Sequence, residues 1–208
     1  MKFETWLLFV VTEGVLIITP GPAVLFVLSQ GIRRGPGKSV WGTCGILSAN
    51  VMYFALSATS LGAIIVASYN LFFLIKWAGA AYLVYLGLQC FLSKTPVIGL
   101  PDDKTPGGSN WRILADGFLL QGANPKALLF FTAILPQFID TNYAVVPQVF
   151  ILGASSTILE FFVLVVYGQL AGRTLSALRN PRFEKVLNAV AGSLLIGAGL
   201  GLARLKRT

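Results

Sequence analysis

Long uncharged runs separated by short polar connections are the dominant pattern of the chain. They extend from Gly14 to Ile32, Ser39 to Ile75, Trp77 to Ser93, Thr141 to Leu159 and Val186 to Ala203. A transmembrane helix needs about 20 mostly apolar residues, and the second run is long enough for one span, a turn and the start of another. We therefore predict an all-α membrane protein with six transmembrane helices. The predicted spans, numbered 1 to 6, cover residues 6–29, 40–67, 71–92, 112–139, 148–171 and 187–204.

The longest polar stretch, about residues 93–111, separates two parts of the chain that hold three predicted spans each. Residues 1–92 and 112–208 are then two repeats within a single integral membrane domain. Because each repeat contains an odd number of spans, the two repeats must cross the membrane in opposite directions. The sequence therefore predicts two inverted three-helix repeats.

The composition narrows the class of protein. Charged residues make up 12% of the chain, about half of the 25% that is typical of soluble domains. A soluble core of this size would lack a polar surface, which excludes a water-soluble globular enzyme. The 16 Lys and Arg residues outnumber the 8 Asp and Glu residues, and there is no His. The basic residues lie in short loops rather than on one continuous face, which argues against nucleic-acid binding.

The distribution of Lys and Arg predicts the orientation in the membrane. The loops between spans 1 and 2, 3 and 4, and 5 and 6 are basic, whereas the two other loops contain no Lys or Arg. Basic loops remain in the cytoplasm, so we expect these three loops there and both termini outside. Basic residues at the C-terminus oppose this orientation and leave a five-span variant open. The basic loop residues are Arg33, Arg34, Lys38, Lys94, Lys104, Arg112, Arg173, Arg179, Arg182 and Lys185.

Two proline motifs interrupt predicted spans 1 and 4. Thr19–Pro22 reads TPGP, and Asn124–Lys126 reads NPK. A proline in a helix interior costs about 3 kcal/mol, and hydrocarbon offers no partner for the freed backbone groups. Paired breaks in two repeats are typical of a substrate site near the middle of the membrane, where half-helix N-termini attract anionic groups. A structural kink packed against neighbouring helices is the alternative.

Several motifs resemble one transporter family. Five segments resemble the LysE/RhtB family of amino-acid exporters. They are Thr19–Phe26, Gln121–Phe131, Leu135–Phe138, Tyr167–Arg173 and Asn188–Gly197. The pairing of TPGP with NPKA is the specific part of the resemblance, and the similarity covers nearly the whole chain.

The resemblance implies a secondary transporter rather than an enzyme. Such a protein would export small neutral amino acids or derivatives, of the homoserine, threonine or leucine type, from the cytoplasm across the cell membrane of a prokaryote. Protons are the expected coupling ion, and no cofactor or metal is expected. The expected partners are a small amino acid, protons and the lipid bilayer.

The resemblance also carries over candidate residues for the substrate path. Many relatives have an Asp in span 2 where this chain has Asn50. An amide forms hydrogen bonds but does not carry a proton, so cationic substrates are disfavoured and proton coupling through this position is not expected. Gln121 and Gln137 are further candidate polar contacts. The residues of the two breaks that match the family motifs are Thr19, Pro20, Gly21, Pro22, Asn124, Pro125 and Lys126.

Charged residues within the predicted spans are candidates for proton coupling. Glu160 lies near the middle of span 5, where an unpaired charge costs at least about 2.5–3.5 kcal/mol. Glu13 and Asp116 are further candidates, although either could simply reach a membrane interface. Lys126 has three interpretations: it partners Glu160, it contacts a substrate carboxylate, or it caps the broken helix.

The sequence leaves two other functions and a homodimer possible. A transmembrane thiol-redox conduit would need a cysteine pair beside the breaks, whereas Cys44 and Cys90 lie in spans 2 and 3. A metal-cation exporter would need more carboxylate or thiolate ligands than the spans supply. Small residues at Ser193, Gly197 and Gly201 form a close-packing face on span 6, either within the monomer or in a homodimer.

Overall fold

The computed structural model describes residues 1–67, 109–140 and 142–171, together with isolated helical positions between residues 77 and 88 and between 173 and 200. All regular structure in this part of the chain is helical, as the sequence predicts, and it contains no strand. The α-helices are α1 (Phe3–Ile18), α2 (Pro22–Arg34), α3 (Pro36–Ala67), α4 (Asn110–Gly122), α5 (Pro125–Leu129) and α6 (Val145–Gln169). A π-helical turn (Phe130–Ile134) and a 3-10 turn (Leu135–Phe138) extend α5.

Two of these helices are long and apolar enough to cross a membrane alone. They are the Pro36–Thr59 part of α3 and the whole of α6. Two bent pairs also qualify if each pair is one span: α1 with α2, and α4 with Lys126–Phe138. The described residues therefore hold two to four spans, which correspond to predicted spans 1, 2, 4 and 5. Spans 3 and 6 lie largely outside the described residues.

Both proline motifs break their helices, as predicted. The axes of α1 and α2 differ by 51°, and the second pair is bent by 53°. At the first break, Thr19 and Gly21 have extended backbone, and Pro22 begins α2. At the second break, Asn124 has extended backbone, and Pro125 begins α5. A proline suits the first position of a helix because its missing N–H would have no helical partner there.

The basic end of the molecule is built from four helix ends. Only Gly35, with a φ of 86°, separates α2 from α3; such a positive φ favours glycine. The Lys38 ammonium donates a hydrogen bond to the side-chain oxygen of Asn110, which joins this turn to the start of α4. At the end of α6, Gly168 packs against Ser39. The C-terminal end of α2 and the N-terminal end of α3 therefore contact the C-terminal end of α6, and α3 joins them to the N-terminal end of α4.

Two hydrophobic clusters pack at different heights along the helices. The aliphatic cluster lies toward the basic end, and the aromatic cluster lies toward the N-terminus of α1. The members of the aliphatic cluster are Val24, Val27, Leu28, Ile46, Leu164 and Ala171. The members of the aromatic cluster are Phe9, Val15, Leu16, Phe54, Phe130, Phe131, Ile134, Leu135, Phe138, Ile139, Val149 and Leu152. The two helix breaks lie between these clusters.

Small residues bring α3 and α4 into backbone contact. A methyl group added at Gly45 would overlap the carbonyl oxygen of Leu114, and one added at Gly117 would lie 2.5 Å from the carbonyl oxygen of Gly42. Small residues permit such close approach of membrane helices, where packing rather than the hydrophobic effect drives association. This contact fixes the position of α4, and hence of the second break, against α3.

We predict that Gly45→Ala destabilises the protein by about 1–3 kcal/mol, because the backbone carbonyl of Leu114 cannot move aside as a flexible side chain would. Thermal unfolding in detergent micelles measures the effect. Gly37→Ala is the matched control, since nothing lies within 4 Å of a methyl group at Gly37 in the same helix. Equal stability of the two variants would contradict the packing described for α3 and α4.

Candidate functional site

The two helix breaks open onto one cavity. The centre of a water molecule can occupy about 60 Å³ of this cavity. By the same measure one buried water needs about 10–15 Å³. The cavity therefore accommodates several waters or a small solute. Its polar lining comes from α1, α3, α4, α6 and both breaks. The lining residues are Glu13, Leu16, Ile17, Thr19, Gly21, Pro22, Ala23, Val24, Asn50, Gln121, Asn124, Lys126, Ala127, Phe130, Phe131, Glu160 and Leu164.

Side chains from other helices satisfy the carbonyl groups freed at the first break. The Lys126 ammonium donates to the carbonyl oxygens of Leu16 and Thr19, the latter at 3.1 Å. The Tyr167 hydroxyl donates to the carbonyl of Ile18 at 2.8 Å. Because the C-terminal end of a helix carries partial negative charge, an ammonium group there is also electrostatically favourable. These contacts are those of a helix cap, which is one of the three interpretations of Lys126.

At the second break, the Tyr53 hydroxyl donates to the carbonyl of Gly122 at 2.6 Å. The Asn124 side-chain oxygen accepts a hydrogen bond from the Lys126 backbone N–H at 3.0 Å and so caps the N-terminus of α5. Asn is among the preferred residues at this position. Both the carbonyl and the amide side of the second break are therefore satisfied within the protein.

The N-terminus of α2 has no such cap. Its N-cap residue is Gly21, which has no side chain, and no described residue accepts a hydrogen bond from the backbone N–H of Ala23 or Val24. All three residues line the cavity. A methyl group at Gly21 would lie 3.7 Å from the Lys126 Nζ, so a positive side chain adjoins the positive end of the helix. This corner of the cavity suits an anionic group.

Two carboxyl groups lie in the same cavity. Glu13 and Glu160 are each 6% exposed and lie within electrostatic range of each other and of Lys126. One oxygen of Glu13 accepts a hydrogen bond from the Ser156 hydroxyl at 2.7 Å, and its other oxygen is buried and accepts none from the described residues. This part of the cavity suits a cation or a proton.

A chain of side-chain amides joins the second break to Glu160. The Asn124 amide nitrogen donates to the Gln121 oxygen at 2.9 Å, and the Gln121 nitrogen donates to the Asn50 oxygen at 2.8 Å. The Asn50 nitrogen in turn donates to Oε2 of Glu160. All three amides are buried. The predicted polar residues Asn50, Gln121 and Asn124 therefore form one connected network.

The structure brings most, but not all, of the predicted site residues together. Thr19, Gly21 and Pro22 line the cavity, whereas Pro20 is not among its lining residues. Asp116 lies on an exposed face of α4, away from the cavity, and does not share it with Glu13. Gln137 lies in the 3-10 turn, where its amide donates to the carbonyl of Ala133.

The sequence did not predict three described residues whose side chains bond to groups of the site: Tyr53, Tyr167 and Ser156. A tyrosine in an apolar segment is equally typical of a membrane interface, and a serine commonly bonds to its own helix. Their roles follow only from which carbonyl or carboxyl group faces them across a helix contact.

The alternative functions find no further support in the described residues. No three His, Cys, Asp or Glu side chains in the described part of the chain are grouped to hold a metal ion. Cys44 is a free thiol on α3 and does not line the cavity, while Cys90 lies outside the described residues. In predicted span 6, Ser193 and Gly197 are exposed, and Gly201 is not described.

Comparison with known proteins identifies the relatives of the chain. A family model described as LysE type translocator matches residues 15–206. The chain is 30% identical over 206 residues to a homoserine/homoserine lactone efflux protein of Salmonella typhimurium, covering 98% of this chain and 99% of that protein. It is 29% identical over 203 residues to a leucine efflux protein of Enterobacter sp., with coverage of 95% and 94%. No solved structure matches the chain significantly.

We predict that Tyr53→Phe and Tyr167→Phe each lower the free energy of unfolding by about 1–3 kcal/mol, because each leaves a carbonyl at a helix break without its donor and hydrocarbon offers no other partner. Thermal unfolding in detergent micelles measures the loss. Tyr143→Phe, in an exposed loop, is the control and should leave stability unchanged. Loss of stability in the control alone, or equal loss in all three variants, would refute the capping roles.

Proposed function

The chain belongs to the LysE-type translocator family, whose members are transporters rather than enzymes, and from this premise we propose that it exports small neutral amino acids or their derivatives in exchange for protons. The names of two relatives, efflux proteins for homoserine or its lactone and for leucine, support this substrate class. The observation that carries the proposal is that two helix breaks open onto one cavity that also contains uncapped backbone N–H groups and a carboxyl pair.

The substrate carboxylate would bind at the uncapped N-terminus of α2. The backbone N–H groups of Ala23 and Val24 supply donors, and Lys126 beside Gly21 adds positive charge. Helix N-termini bind carboxylates in this way, and broken membrane helices use the same arrangement.

The substrate ammonium group would bind at Glu13 and Glu160. Of the ionisable groups that line the cavity, two carboxylates face one ammonium group, so full ionisation leaves one negative charge without compensation. Such a charge is costly in a medium of low dielectric constant. Either a proton or the substrate ammonium group can compensate it, and the two would therefore alternate at the same place.

The remaining lining restricts the substrate side chain. Leu16, Ile17, Ala127, Phe130 and Leu164 are apolar, and the small volume of the cavity leaves little room beyond the amino-acid head group. A short hydroxylated or aliphatic side chain fits this environment. A second cationic group would lack a further acid in the described part of the cavity.

Alternating access would open one hydrophobic cluster at a time. The aliphatic cluster separates the cavity from the basic end, and the aromatic cluster separates it from the opposite end. We place the basic end in the cytoplasm because basic loops are retained there. Two inverted repeats, each with one broken helix, would then exchange roles between the inward-open and outward-open states.

We predict that Glu13→Gln and Glu160→Gln each abolish the stimulation of export by a proton gradient, because an amide does not take up a proton. Efflux of radiolabelled homoserine, threonine and leucine from proteoliposomes, with and without an acidic exterior, measures this. Glu4→Gln, at an exposed position of α1, should keep the stimulation. Gradient-driven efflux in both cavity variants would refute the exchange mechanism, and no efflux of any of the three amino acids from wild-type vesicles would refute the substrate class.

We predict that Lys126→Met impairs transport of homoserine more than transport of homoserine lactone, because the lactone has no free carboxylate. Hydrogen bonds to charged groups contribute about 1.5–3 kcal/mol, so kcat/KM for homoserine should fall about 10–100-fold relative to the lactone. Both substrates are measured in the same vesicles, which removes any effect of the variant on folding. An equal loss for both would show that Lys126 acts only as a helix cap.

A further inference from the structure

The amide chain between the second helix break and Glu160 has a single direction. Beginning at the Lys126 backbone N–H, each group donates to the next: to Asn124, then Gln121, then Asn50, and finally Oε2 of Glu160. Each of the three amides accepts on its oxygen and donates from its nitrogen. The whole chain therefore depends on an acceptor at its far end, which an ionised carboxylate supplies.

We propose that this chain is a relay that converts the arrival of a proton at Glu160 into release of the N-cap of α5. The inference rests on the proposed proton exchange at Glu160. It goes beyond that exchange by naming the residues that carry its effect to α5. Asn50, Gln121 and Asn124 are then positioning residues, since they act through the groups at the two ends of the chain.

A proton on Oε2 of Glu160 that is directed at Asn50 turns the acceptor of the amide chain into a donor. The Asn50 nitrogen would then face a hydroxyl group, and two donors would oppose each other in a buried site. A buried donor without an acceptor is destabilising. Rotation of the Asn50 amide by a half turn removes the conflict, because its oxygen then accepts from Glu160.

The same conflict passes along the chain. A rotated Asn50 presents its nitrogen to the Gln121 nitrogen, so Gln121 must rotate, and Asn124 must follow. The oxygen and nitrogen of an amide are nearly equal in size, so the rotations require little movement of the surroundings. A rotated Asn124 presents its nitrogen, not its oxygen, to the Lys126 backbone N–H, and the cap is lost.

Loss of the cap acts on a segment that lines the cavity. An N-cap stabilises its helix, and α5 has only five residues before the π-helical turn. Phe130 and Phe131, in that turn, line the cavity and belong to the aromatic cluster. π-Helical turns occur frequently at functional sites. A proton at Glu160 would thus loosen the aromatic side of the site.

The groups that act on the charge of Glu160 come from several helices. Among the described residues, Glu13 from α1 and Lys126 from α5 are the charged groups within electrostatic range, while α3 contributes the Asn50 amide. Only the backbone N–H of Lys126 takes part in the amide chain, while its ammonium group donates to carbonyl oxygens at the first break.

The sequence offers a direct probe of the cap. Pro125–Lys126 is the one Pro–Lys pair in the amino-acid sequence. Labelling proline at the carbonyl carbon and lysine at the amide nitrogen therefore gives a single NMR resonance for directly bonded labels, that of the Lys126 amide. We would follow this resonance in the full-length protein in detergent micelles while the pH is lowered. We expect an upfield movement of the amide proton as its hydrogen bond to Asn124 is lost, and no such movement in Glu160→Gln.

Two variants interrupt the relay at different places. In Gln121→Leu the middle member of the amide chain is missing, so the Lys126 resonance should become insensitive to pH. In Asn124→Ser the hydroxyl still caps α5 but is too short to reach Gln121, and the resonance should again stay constant. Gln30→Leu is the matched control: Gln30 is a similarly buried glutamine outside the chain, and this variant should respond like the wild type.

The outcomes separate the relay from the proposed function. If the wild-type resonance stays constant as the pH falls, the relay is wrong, even if the vesicles show proton-driven export. A proton on the other oxygen of Glu160 would give this result. A pH response that persists in Gln121→Leu and Asn124→Ser also overturns it. A response present in the wild type and control but absent from both variants supports the relay, even if the vesicles export none of the tested amino acids.

Discussion

The structure depends on one constraint: a backbone group that loses its helical partner inside a membrane needs another partner within the protein. Pro20, Pro22 and Pro125 create such groups in the middle of two helices. Lys126, Tyr167 and Tyr53 satisfy the freed carbonyl groups. The backbone amide groups of the two breaks differ, since Asn124 caps α5 whereas no described residue caps α2. This difference gives the cavity one end that is already satisfied and one that can receive an anion.

The two halves of the chain stabilise each other's breaks. The first break receives its donors from Lys126 and Tyr167 in the second half, and the second break receives a donor from Tyr53 in the first half. Neither broken helix is therefore satisfied by its own half of the chain alone. The close approach of Gly45 to Leu114 holds the halves in the register that these contacts require. A movement that opens the cavity must preserve or exchange these donors, which favours a few discrete states.

Much of the fold is readable from the sequence, because membrane spans and proline breaks are local properties. Spans 1, 2, 4 and 5 agree with the described helices to within a few residues, although α2 continues to Arg34 and only Gly35 separates it from α3. The site was readable only in part. Glu13 and Asp116 carry the same signal in the sequence, an acid within an apolar run, yet one lines the cavity and the other is exposed. Helix rotation decides between them, and an all-round apolar helix does not encode its rotation clearly.

By itself, the sequence determined the membrane environment, the two breaks and the family, because each depends on residues that are close together in the chain. The tertiary structure alone decided which groups meet: Glu160 with Asn50, Glu13 with Ser156, and Lys126 with the carbonyl groups of α1. It also decided the direction of the amide chain. The physical reason is that hydrogen bonds between distant helices depend on their rotation and spacing, which are set by packing across the whole bundle rather than by any local pattern.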